Sequence, residues 1–235
     1  QSDSQAARYD QPPTSRLSHL LSITGPIAIL TWMAMVVASA VLCRRLRPNQ
    51  RELSRKIVHI GTGAVVPLAW FFEIPFVVAL PVAAVITVVT TINHQWRFIP
   101  AVEDVDRNSY GTIAYGIAIT TLLLLFWPTR ADAVSAGVLV MALGDGLAGL
   151  IGRNVASPKW VLFGQTKSSV GTMTMAVVSG LVLIGLAQWS GVDLSLPAAL
   201  GMVAIATGLE QLSWGGLDNL SVPLSVGVLW SQLMV

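Results

Sequence analysis

An aspartate at position 145 lies inside an apolar stretch of the chain, where a charged side chain is unexpected. Asp145 stands between Gly144 and Gly146 in segment 131–152, which is apolar and long enough to cross a bilayer. A carboxylate at membrane depth is costly and usually belongs to a functional site or to an ion pair. Glu210 is a second acid with this placement, and carboxylates on separate helices suit Mg²⁺, which combines one or two of them with substrate phosphates. These acids therefore predict a magnesium site, with structural pairing to Lys or Arg as the alternative.

The residues after Asp145 place an acid and a base on one helical face with almost no side chain between them. Three- and four-residue spacing puts Asp145, Ala148, Gly149, Gly152 and Arg153 on the same side of a helix. Such a face predicts either a close contact with a neighbouring helix, which membrane bundles make through small residues, or room for a charged ligand. Together with the basic segment that follows, it favours the ligand.

Segment 153–169 is a basic loop that precedes another apolar run. The residues able to hold an anion here are Arg153, Lys159, Lys167 and Ser168, followed by Gly171-Thr172 at the start of the next helix. Free N–H groups at a helix N-terminus, next to Lys and hydroxyl groups, form a good phosphate site. The order of residues is not that of a Walker P-loop. The loop thus predicts phosphate binding, although a loop that only sets membrane topology would also be basic.

The composition indicates a membrane protein and argues against several enzyme classes. Of 235 residues, 54% are hydrophobic and 11% are charged, and the mean hydropathy is +0.68; a soluble domain would carry about a quarter charged residues. The basic residues lie in short loops between apolar segments, which predicts a lipid bilayer and no nucleic acid as partner. The sequence has no His/Cys ligand spacing, no Gly-x-Ser-x-Gly and no Rossmann fingerprint, which argues against zinc enzymes, serine hydrolases and dinucleotide redox enzymes.

The predicted fold is all-α: a polytopic integral membrane protein with seven or eight transmembrane helices. Candidate spans are 23–43, 57–72, 74–92, 110–127, 131–152, 170–190, 196–212 and 219–235. The last is the weakest because Pro223 and polar residues interrupt it. Residues 1–22 are predicted to form a polar N-terminal tail, and residues 23–235 a single transmembrane domain.

The distribution of Lys and Arg predicts the orientation in the membrane. Loops 44–56, 93–109 and 153–169 fall on one side if the segments alternate, and they hold 11 of the 14 basic residues. The positive-inside rule places these loops in the cytoplasm. The same side then receives polar residues from the ends of different helices, namely His59, Asp145, Lys167, Glu210 and Asp218. Chance placement would divide them between both sides, so they predict one polar pocket at the cytoplasmic face.

Several short motifs, taken in order, resemble the membrane polyprenol kinase family, which includes phytol, farnesol and dolichol kinases. The matching pieces are Arg55-Lys56-Ile57-Val58-His59-Ile60, Arg107-Asn108-Ser109-Tyr110-Gly111-Thr112, Gly144-Asp145-Gly146-Leu147-Ala148, Ile151-Gly152-Arg153, Phe163-Gly164, Lys167-Ser168 with Gly171-Thr172, and Glu210 with Gly216-Leu217-Asp218-Asn219-Leu220-Ser221-Val222-Pro223. The compact length most resembles the phytol kinases of cyanobacteria and plastids, which implies a membrane of that type. One departure is Val170, where more distant relatives such as CDP-diacylglycerol synthases often carry Glu; this weakens the synthase alternative.

The resemblance implies transfer of the terminal phosphoryl group of CTP to a long-chain isoprenoid alcohol such as phytol, farnesol or geranylgeraniol, with Mg²⁺ as cofactor. Phosphoryl transfer mainly needs positioning and charge neutralisation. Asp145, Lys167 and Glu210 are the candidate catalytic residues, with Asp145 binding Mg²⁺ or accepting the hydroxyl proton. The remaining assignments are metal ligation by Glu210 and Asp218, nucleotide binding by Arg153, Lys159, Lys167, Ser168 and Asn219, and lining of the pocket entrance by Lys56 and His59.

Three other functions compete with this prediction. A CTP-dependent cytidylyltransferase acting on a phospholipid would release pyrophosphate rather than CDP. A transporter would use Asp145 and Glu210 as ion or proton carriers near the bilayer midplane, but acids at one interface and the lack of a visible inverted repeat argue against it. A scaffold protein without chemistry would leave the convergence of charged residues unexplained.

Overall fold

The computed structural model describes residues 13–96 and 110–233. Its elements, in chain order, are α1 (Pro13–Leu46), α2 (Arg51–Gly63), α3 (Val65–Phe71), α4 (Phe76–Trp96), α5 (Gly111–Phe126), α6 (Ala131–Leu139), a π-helical turn (Val140–Asp145), α7 (Gly146–Asn154), β1 (Lys159–Leu162), β2 (Gln165–Ser168), α8 (Ser169–Ser190), α9 (Leu196–Gln211) and α10 (Asp218–Ser231). Helices thus occupy each of the eight segments predicted to be apolar spans. Parts of four predictions lie outside the described residues: the tail as far as residue 12, most of loop 93–109, the motif residues Arg107-Asn108-Ser109, and the last two residues of span 219–235.

The central element is the continuous helix Ala131–Asn154, formed by α6, the π-helical turn and α7. In its most apolar stretch 61% of the residues are buried, against 11%, 6% and 22% in the three other long apolar helices. Small residues in α6 and α10 let these helices and α5 approach closely. At Gly227 of α10, an added Cβ would lie 2.6 Å from Leu122 and 3.2 Å from the carbonyl oxygen of Ala133. Glycine is therefore needed for this contact.

The π-helical turn ends at Asp145 and was not predicted from the sequence. Its i→i+5 bonding inserts an extra residue, so the residues after it face a different direction from the one an α-helix would give them. Such turns are rare in proteins, and many of those that occur lie at functional sites. The turn therefore determines which way Asp145 and the face that follows it are directed.

Four helices among the described residues are long and apolar enough to cross a membrane: Ile23–Leu46, Phe76–Trp96, Ala131–Asn154 and Ser169–Ser190. Two of them lie at the periphery and expose large apolar side chains such as Leu30 (70%) and Val77 (77%), as expected of a surface that faces lipid. The helices of the other predicted spans are shorter. The mostly helical structure is thus consistent with a polytopic membrane protein, and the count of seven or eight spans stays a prediction.

The prediction of an all-α fold misses one feature, an antiparallel hairpin within the predicted basic loop 153–169. Strand β1 pairs with β2 from Lys159↔Ser168 to Leu162↔Gln165. The two-residue loop Phe163-Gly164 has φ angles of +48° and +75°, and positive φ at both positions is what the type I′ turn of a tight hairpin requires. Each strand has four residues, too few for alternation to distinguish it from a loop. The pairing brings the open end of the hairpin, with its two lysines, next to the helices.

A charged cluster closes the other end of the central helix. Asp132 is buried and accepts hydrogen bonds from Arg130 and, at 2.7 Å, from the indole Nε1 of Trp230. Arg130 also donates to the carbonyl oxygens of Trp230, Ser231 and Leu233. The cluster therefore joins the start of α6 to the end of α10, at the end of the bundle away from Asp145.

Replacing Trp230 with Phe should lower stability without altering ligand binding near Asp145. The indole of Trp230 is fully buried, and Phe removes both its hydrogen bond to Asp132 and part of its packing, at a cost of about 2 kcal/mol in the free energy of unfolding. Thermal unfolding in detergent should show a lower melting temperature. The matched control is Trp189→Phe, at a half-exposed ring, and an equal shift in both variants would contradict the role given to Trp230.

Candidate active site

Residues from the helices and the hairpin line one pocket of about 1030 Å³ at the α7 end of the central helix. Those predicted from the sequence that line it are Lys56, Asp145, Arg153, Lys159, Lys167, Ser168, Glu210, Asp218 and Asn219. His59 is the exception. The structure therefore brings the predicted residues to one place, although they come from widely separated parts of the chain.

Lys56, which is buried, and the partly buried Asp145 form an ion pair at the floor of this pocket, so Lys56 does not lie at the pocket entrance as predicted. Nζ of Lys56 lies 2.6 Å from Oδ2 of Asp145 and donates a second hydrogen bond, at 3.2 Å, to the carbonyl oxygen of the same residue. The side chains are 6% and 15% exposed, so water screens the pair weakly. The pairing with Lys that the sequence left as an alternative to metal binding is thus present, at a position that still borders the pocket.

His59 lies behind Asp145, which corrects its predicted position at the pocket entrance. Its Nε2 is 3.5 Å from Oδ2 of Asp145 and 3.4 Å from the carbonyl oxygen of Met141. Its ring packs on Tyr115 with a centroid distance of 4.7 Å. The three-residue spacing puts Lys56 and His59 on one face of α2, but His59 lies almost one turn farther into the bundle and faces Asp145 from the protein side.

A second buried pair, Lys167 with Glu210, repeats this arrangement. Nζ of Lys167 lies 2.5 Å from Oε1 of Glu210 and donates to the carbonyl oxygen of Glu210 at 2.7 Å; both side chains are 9% exposed. Oε2 of Glu210 accepts from Nε2 of Gln211 at 2.6 Å, and Gln211 also donates to Thr172. In both pairs the lysine binds the side chain and the main chain of one acid, so each ammonium group is held at a fixed point.

The pocket carries both signs of charge in near balance. Its lining includes five basic and four acidic side chains: Arg55, Lys56, Arg153, Lys159 and Lys167, with Glu52, Asp145, Glu210 and Asp218. The acids would repel a bare polyphosphate, whereas a divalent cation bound with it would offset that repulsion. The lining therefore suits a complex of a metal ion with a polyphosphate.

At the rim, Glu52 joins two arginines of different helices. Its carboxylate lies 2.6 Å from Arg55 and 3.3 Å from Arg153. Burial acts to raise the pKa of Glu52, but the hydrogen bond and charge of Arg55, with the charges of Arg153 and Lys56, bring this pKa below its usual value. Glu52 is therefore ionised at neutral pH and holds both guanidinium groups beside the pocket. Glu52 was not among the residues predicted from the sequence, although its three-residue spacing from Arg55 was a signal that could have found it.

Ser168 caps the N-terminus of α8. Its Oγ accepts a hydrogen bond from the N–H of Gly171 at 3.1 Å and donates to the carbonyl oxygen of Gly152 at 3.2 Å. This hydroxyl already joins α7 to α8. A contact between Ser168 and a phosphate stays a prediction, and it would require the hydroxyl to give up its hydrogen bond to Gly152. The face from Asp145 to Arg153 allows α8 to approach closely and also borders the pocket, and ligand binding at this face stays a prediction.

Asp218 and Asn219 begin α10 at the floor of the pocket. Both side chains are buried, and Oδ1 of each has no hydrogen-bond partner among the described residues. The N–H of Asp218 donates to Oγ of Ser213 at 2.9 Å, which orders the turn before the helix. A buried oxygen without a donor is one that a cation or an N–H group of a ligand could satisfy.

The predicted metal ligands Asp145, Glu210 and Asp218 do not form a three-carboxylate cage. Within residues 13–96 and 110–233, no group of three or more His, Cys, Asp or Glu side chains could hold a metal ion by itself. The donor set nevertheless fits Mg²⁺, which prefers oxygen and needs only one or two carboxylates when phosphates and waters supply the other ligands. The unpartnered Oδ1 of Asp218 is the atom that best fits this use.

Comparison with known proteins assigns the family. The chain is 38% identical over 220 residues to the phytol kinase of Synechocystis sp., in a match that covers 88% of this chain and 94% of that protein. The chain belongs to the phytol kinase family. Probable chloroplastic phytol kinases of Triticum aestivum and Glycine max match at 30% and 29% identity, over 90% and 82% of this chain and 78% and 70% of their own lengths. No protein-family model and no solved structure matches the chain.

Membership in the phytol kinase family confirms the resemblance predicted from the motifs. It also confirms the predicted enzyme class, a phosphotransferase with an alcohol group as acceptor. The relatives come from a cyanobacterium and from chloroplasts, which fits a plastid-type membrane. The individual roles of the pocket residues stay predictions.

Proposed function

We propose that this member of the phytol kinase family transfers the terminal phosphoryl group of CTP to the hydroxyl of a long-chain isoprenoid alcohol. Phytol is the first candidate because the Synechocystis relative is a phytol kinase; farnesol and geranylgeraniol share its isoprenoid chain and terminal hydroxyl. The observation that carries the proposal is the polar pocket with two buried lysine–carboxylate pairs at one end of the apolar helices. A nucleotide from water and an alcohol from lipid would meet at such a boundary.

The basic side chains of the pocket would bind the phosphates. Lys56 and Lys167 are held at fixed points by their acids, while Arg153 and Lys159 are exposed and can meet a triphosphate that arrives from water. Phosphoryl transfer depends on positioning and on stabilising the charge of the transition state. Fixed cationic groups serve both needs.

Asp145 would act on the acceptor alcohol. Its contacts with Lys56 and His59 both go to Oδ2, so Oδ1 is the oxygen available to accept the hydroxyl proton or to bind a metal ion. A carboxylate that takes up this proton while the new O–P bond forms would act as general base. Lys56 would keep the carboxylate oriented through the two hydrogen bonds that it donates to Asp145.

Asp145, Glu210 and Asp218 are the residues that would hold Mg²⁺. When bound, the ion would neutralise negative charge on the phosphate oxygens. Chelation with EDTA should therefore abolish phosphoryl transfer, and excess Mg²⁺ should restore it. Full activity in the presence of EDTA would contradict the metal assignment.

We place the reaction at the cytoplasmic face, or its topological equivalent, of a cyanobacterial or plastid-type membrane. The support for this is the positive-inside rule, because the basic loops 44–56 and 153–169 lie on the side of the pocket. Protease or labelling reagents applied to sealed vesicles should therefore reach Lys159 from the cytoplasmic side only.

The proposed reaction can be tested by product analysis. Purified protein would be incubated with CTP, ATP, GTP or UTP and with phytol, farnesol, geranylgeraniol or dolichol. We expect CDP and an isoprenoid monophosphate in equal amounts. Release of pyrophosphate with formation of a CDP-lipid would instead identify a cytidylyltransferase and overturn the proposal.

Replacing Gly152 with Ala should weaken nucleotide binding. A Cβ at this position would lie 2.7 Å from Oγ of Ser168 and 3.0 Å from Cα of Gly171, so α7 and α8 must move apart and Lys167 shifts with them. We expect KM for CTP to rise about tenfold, the effect of losing roughly 1.4 kcal/mol of binding energy. The matched control is Gly185→Ala in α8, where an added Cβ meets nothing within 4 Å; an equal rise there would contradict the explanation.

A further inference from the structure

Two exposed aromatic rings stand at the rim of the pocket and have no role in the function proposed so far. Phe163 lies at the tip of the hairpin and Trp214 lies between α9 and α10. Their residues are 58% and 66% exposed, and both line the pocket. The floor of the same pocket consists of buried charged side chains, including Lys56, Lys167 and Asp218.

The backbone at Phe163 is unfavourable for the residue that occupies it. Its φ of +48° lies in the left-handed region, where a bulky side chain is an outlier and Asn, Asp or Gly is preferred. Strained positions of this kind occur at ligand-binding sites, where the surrounding structure maintains them. The hairpin turn accounts for the left-handed backbone, but an exposed phenyl ring at this position gains nothing from burial, which is consistent with a role of the ring toward a ligand.

Trp214 is part of a turn that is anchored on both sides. The preceding Ser213 accepts a hydrogen bond from the N–H of Asp218 at 2.9 Å. The following Gly215 accepts one from the N–H of Tyr110 at 3.0 Å, and Gly215 and Gly216 have positive φ angles of 62° and 90°. The indole thus projects from an ordered segment, although its own surface is open to solvent.

The pocket combines the kinds of side chain that the parts of a nucleotide require. Its buried lining includes the charged side chains of Lys56, Lys167 and Asp218, and its exposed lining includes the rings of Phe163 and Trp214 together with charged groups such as Arg153. We infer that Phe163 and Trp214 form a stacking site for the nucleobase of the phosphoryl donor. Aromatic side chains bind bases through their π faces, and every base has such a face. The two rings would therefore contribute affinity with little preference for one base.

This inference rests on the proposed function, because a nucleobase needs a nucleotide in the pocket. The test uses Phe163→Asn, which removes the ring and suits the left-handed backbone, and Trp214→Ala. Phe163→Tyr and Trp214→Phe keep an aromatic ring. The control is Trp160→Ala, which removes an aromatic residue from the same hairpin. Trp160 is 39% exposed and does not line the pocket.

We expect Phe163→Asn and Trp214→Ala each to raise KM for CTP roughly ten- to a hundredfold, the range for losing one base–aromatic stack. The value of kcat should change little, and KM for ATP, GTP and UTP should rise by a similar factor wherever those nucleotides are used. Phe163→Tyr and Trp214→Phe, which keep a ring for stacking, should raise KM for CTP less than the ring-deleting variants do, and Trp160→Ala should keep the wild-type KM. Equilibrium binding of CTP and CDP, measured in parallel, should follow the same order.

Two results separate the inference from the proposed function. Wild-type phosphoryl transfer with unchanged KM in both ring-deleting variants would overturn the stacking site and would assign these rings to the lipid headgroup region instead, where exposed Trp residues are common. CTP binding that weakens in these variants, in a protein that phosphorylates no alcohol, would support the stacking site and overturn the proposed function. Wild-type protein that binds no nucleotide would overturn both.

Discussion

Asp145→Asn is expected to reduce kcat by about 10²-fold, and by up to about 10⁴-fold if the carboxylate is the general base. Asn keeps the shape of the side chain and can still accept the hydrogen bond from Lys56, which spans 2.6 Å in the native pair. It can neither take up a proton from the alcohol nor neutralise a metal ion. The measurement is transfer of labelled phosphate from CTP to phytol at saturating concentrations of both substrates.

The variant also leaves the ammonium group of Lys56 without its counter-charge in a buried position. Removing one partner of a buried pair costs roughly 3 kcal/mol of stability, so thermal unfolding must be followed together with activity. Asp193→Asn makes the same chemical change at an exposed site and should leave both quantities at wild-type values. A folded Asp145→Asn protein with undiminished kcat would refute the role assigned to this acid.

Lys167→Met is expected to lower kcat/KM for CTP by roughly 10²- to 10³-fold, the cost of losing one fixed group that stabilises transition-state charge. Met has a similar length and an apolar end, so it can occupy the space without donating to Glu210 or to a phosphate. Lys167→Arg keeps the charge but not the compact ammonium group, and we expect an intermediate loss because the buried site fits a single Nζ 2.5 Å from Oε1 of Glu210.

A paired variant separates a catalytic role of Lys167 from a structural one. Lys167→Met alone leaves Glu210 buried with Gln211 as its remaining donor, whereas Lys167→Met with Glu210→Leu removes both charges and is often neutral for stability. The paired variant should unfold near the wild-type temperature and should still be inactive. If it regains the activity that the single variant loses, neither Lys167 nor Glu210 acts in catalysis, and Lys167 serves only to satisfy Glu210.

The two acids could be predicted because an ionised group in apolar sequence is energetically costly, and the basic loop could be predicted from its Lys and Arg residues. Asp145 and Glu210 stand in apolar sequence, where an ionised group requires compensation, and the three- and four-residue spacing around Asp145 is a local property of a helix. In the structure, the helical face from Asp145 to Arg153 lines the pocket. The positions of helices are likewise local properties, which is why the eight apolar segments match helices.

The partners of these acids were not predictable from local patterns. Lys56 and Asp145 are 89 residues apart, and Lys167 and Glu210 are 43 apart, so each contact depends on how whole helices pack. The same packing places His59 behind Asp145 instead of at the entrance. It also brings Glu52 to Arg153 at 3.3 Å, a contact that no spacing in the sequence indicates.

The sequence by itself determined the apolar helices and the polar residues that they carry, because both depend on residue type and short-range periodicity, and the resemblance of its motifs to known proteins indicated the kinase family. The tertiary structure alone decided the hairpin Lys159–Ser168, the π-helical turn before Asp145 and the choice of partner for each buried charge. These features depend on strand pairing, on one inserted residue in a helix and on close packing at glycines. Their energies come from contacts between distant parts of the chain, which a local pattern does not contain.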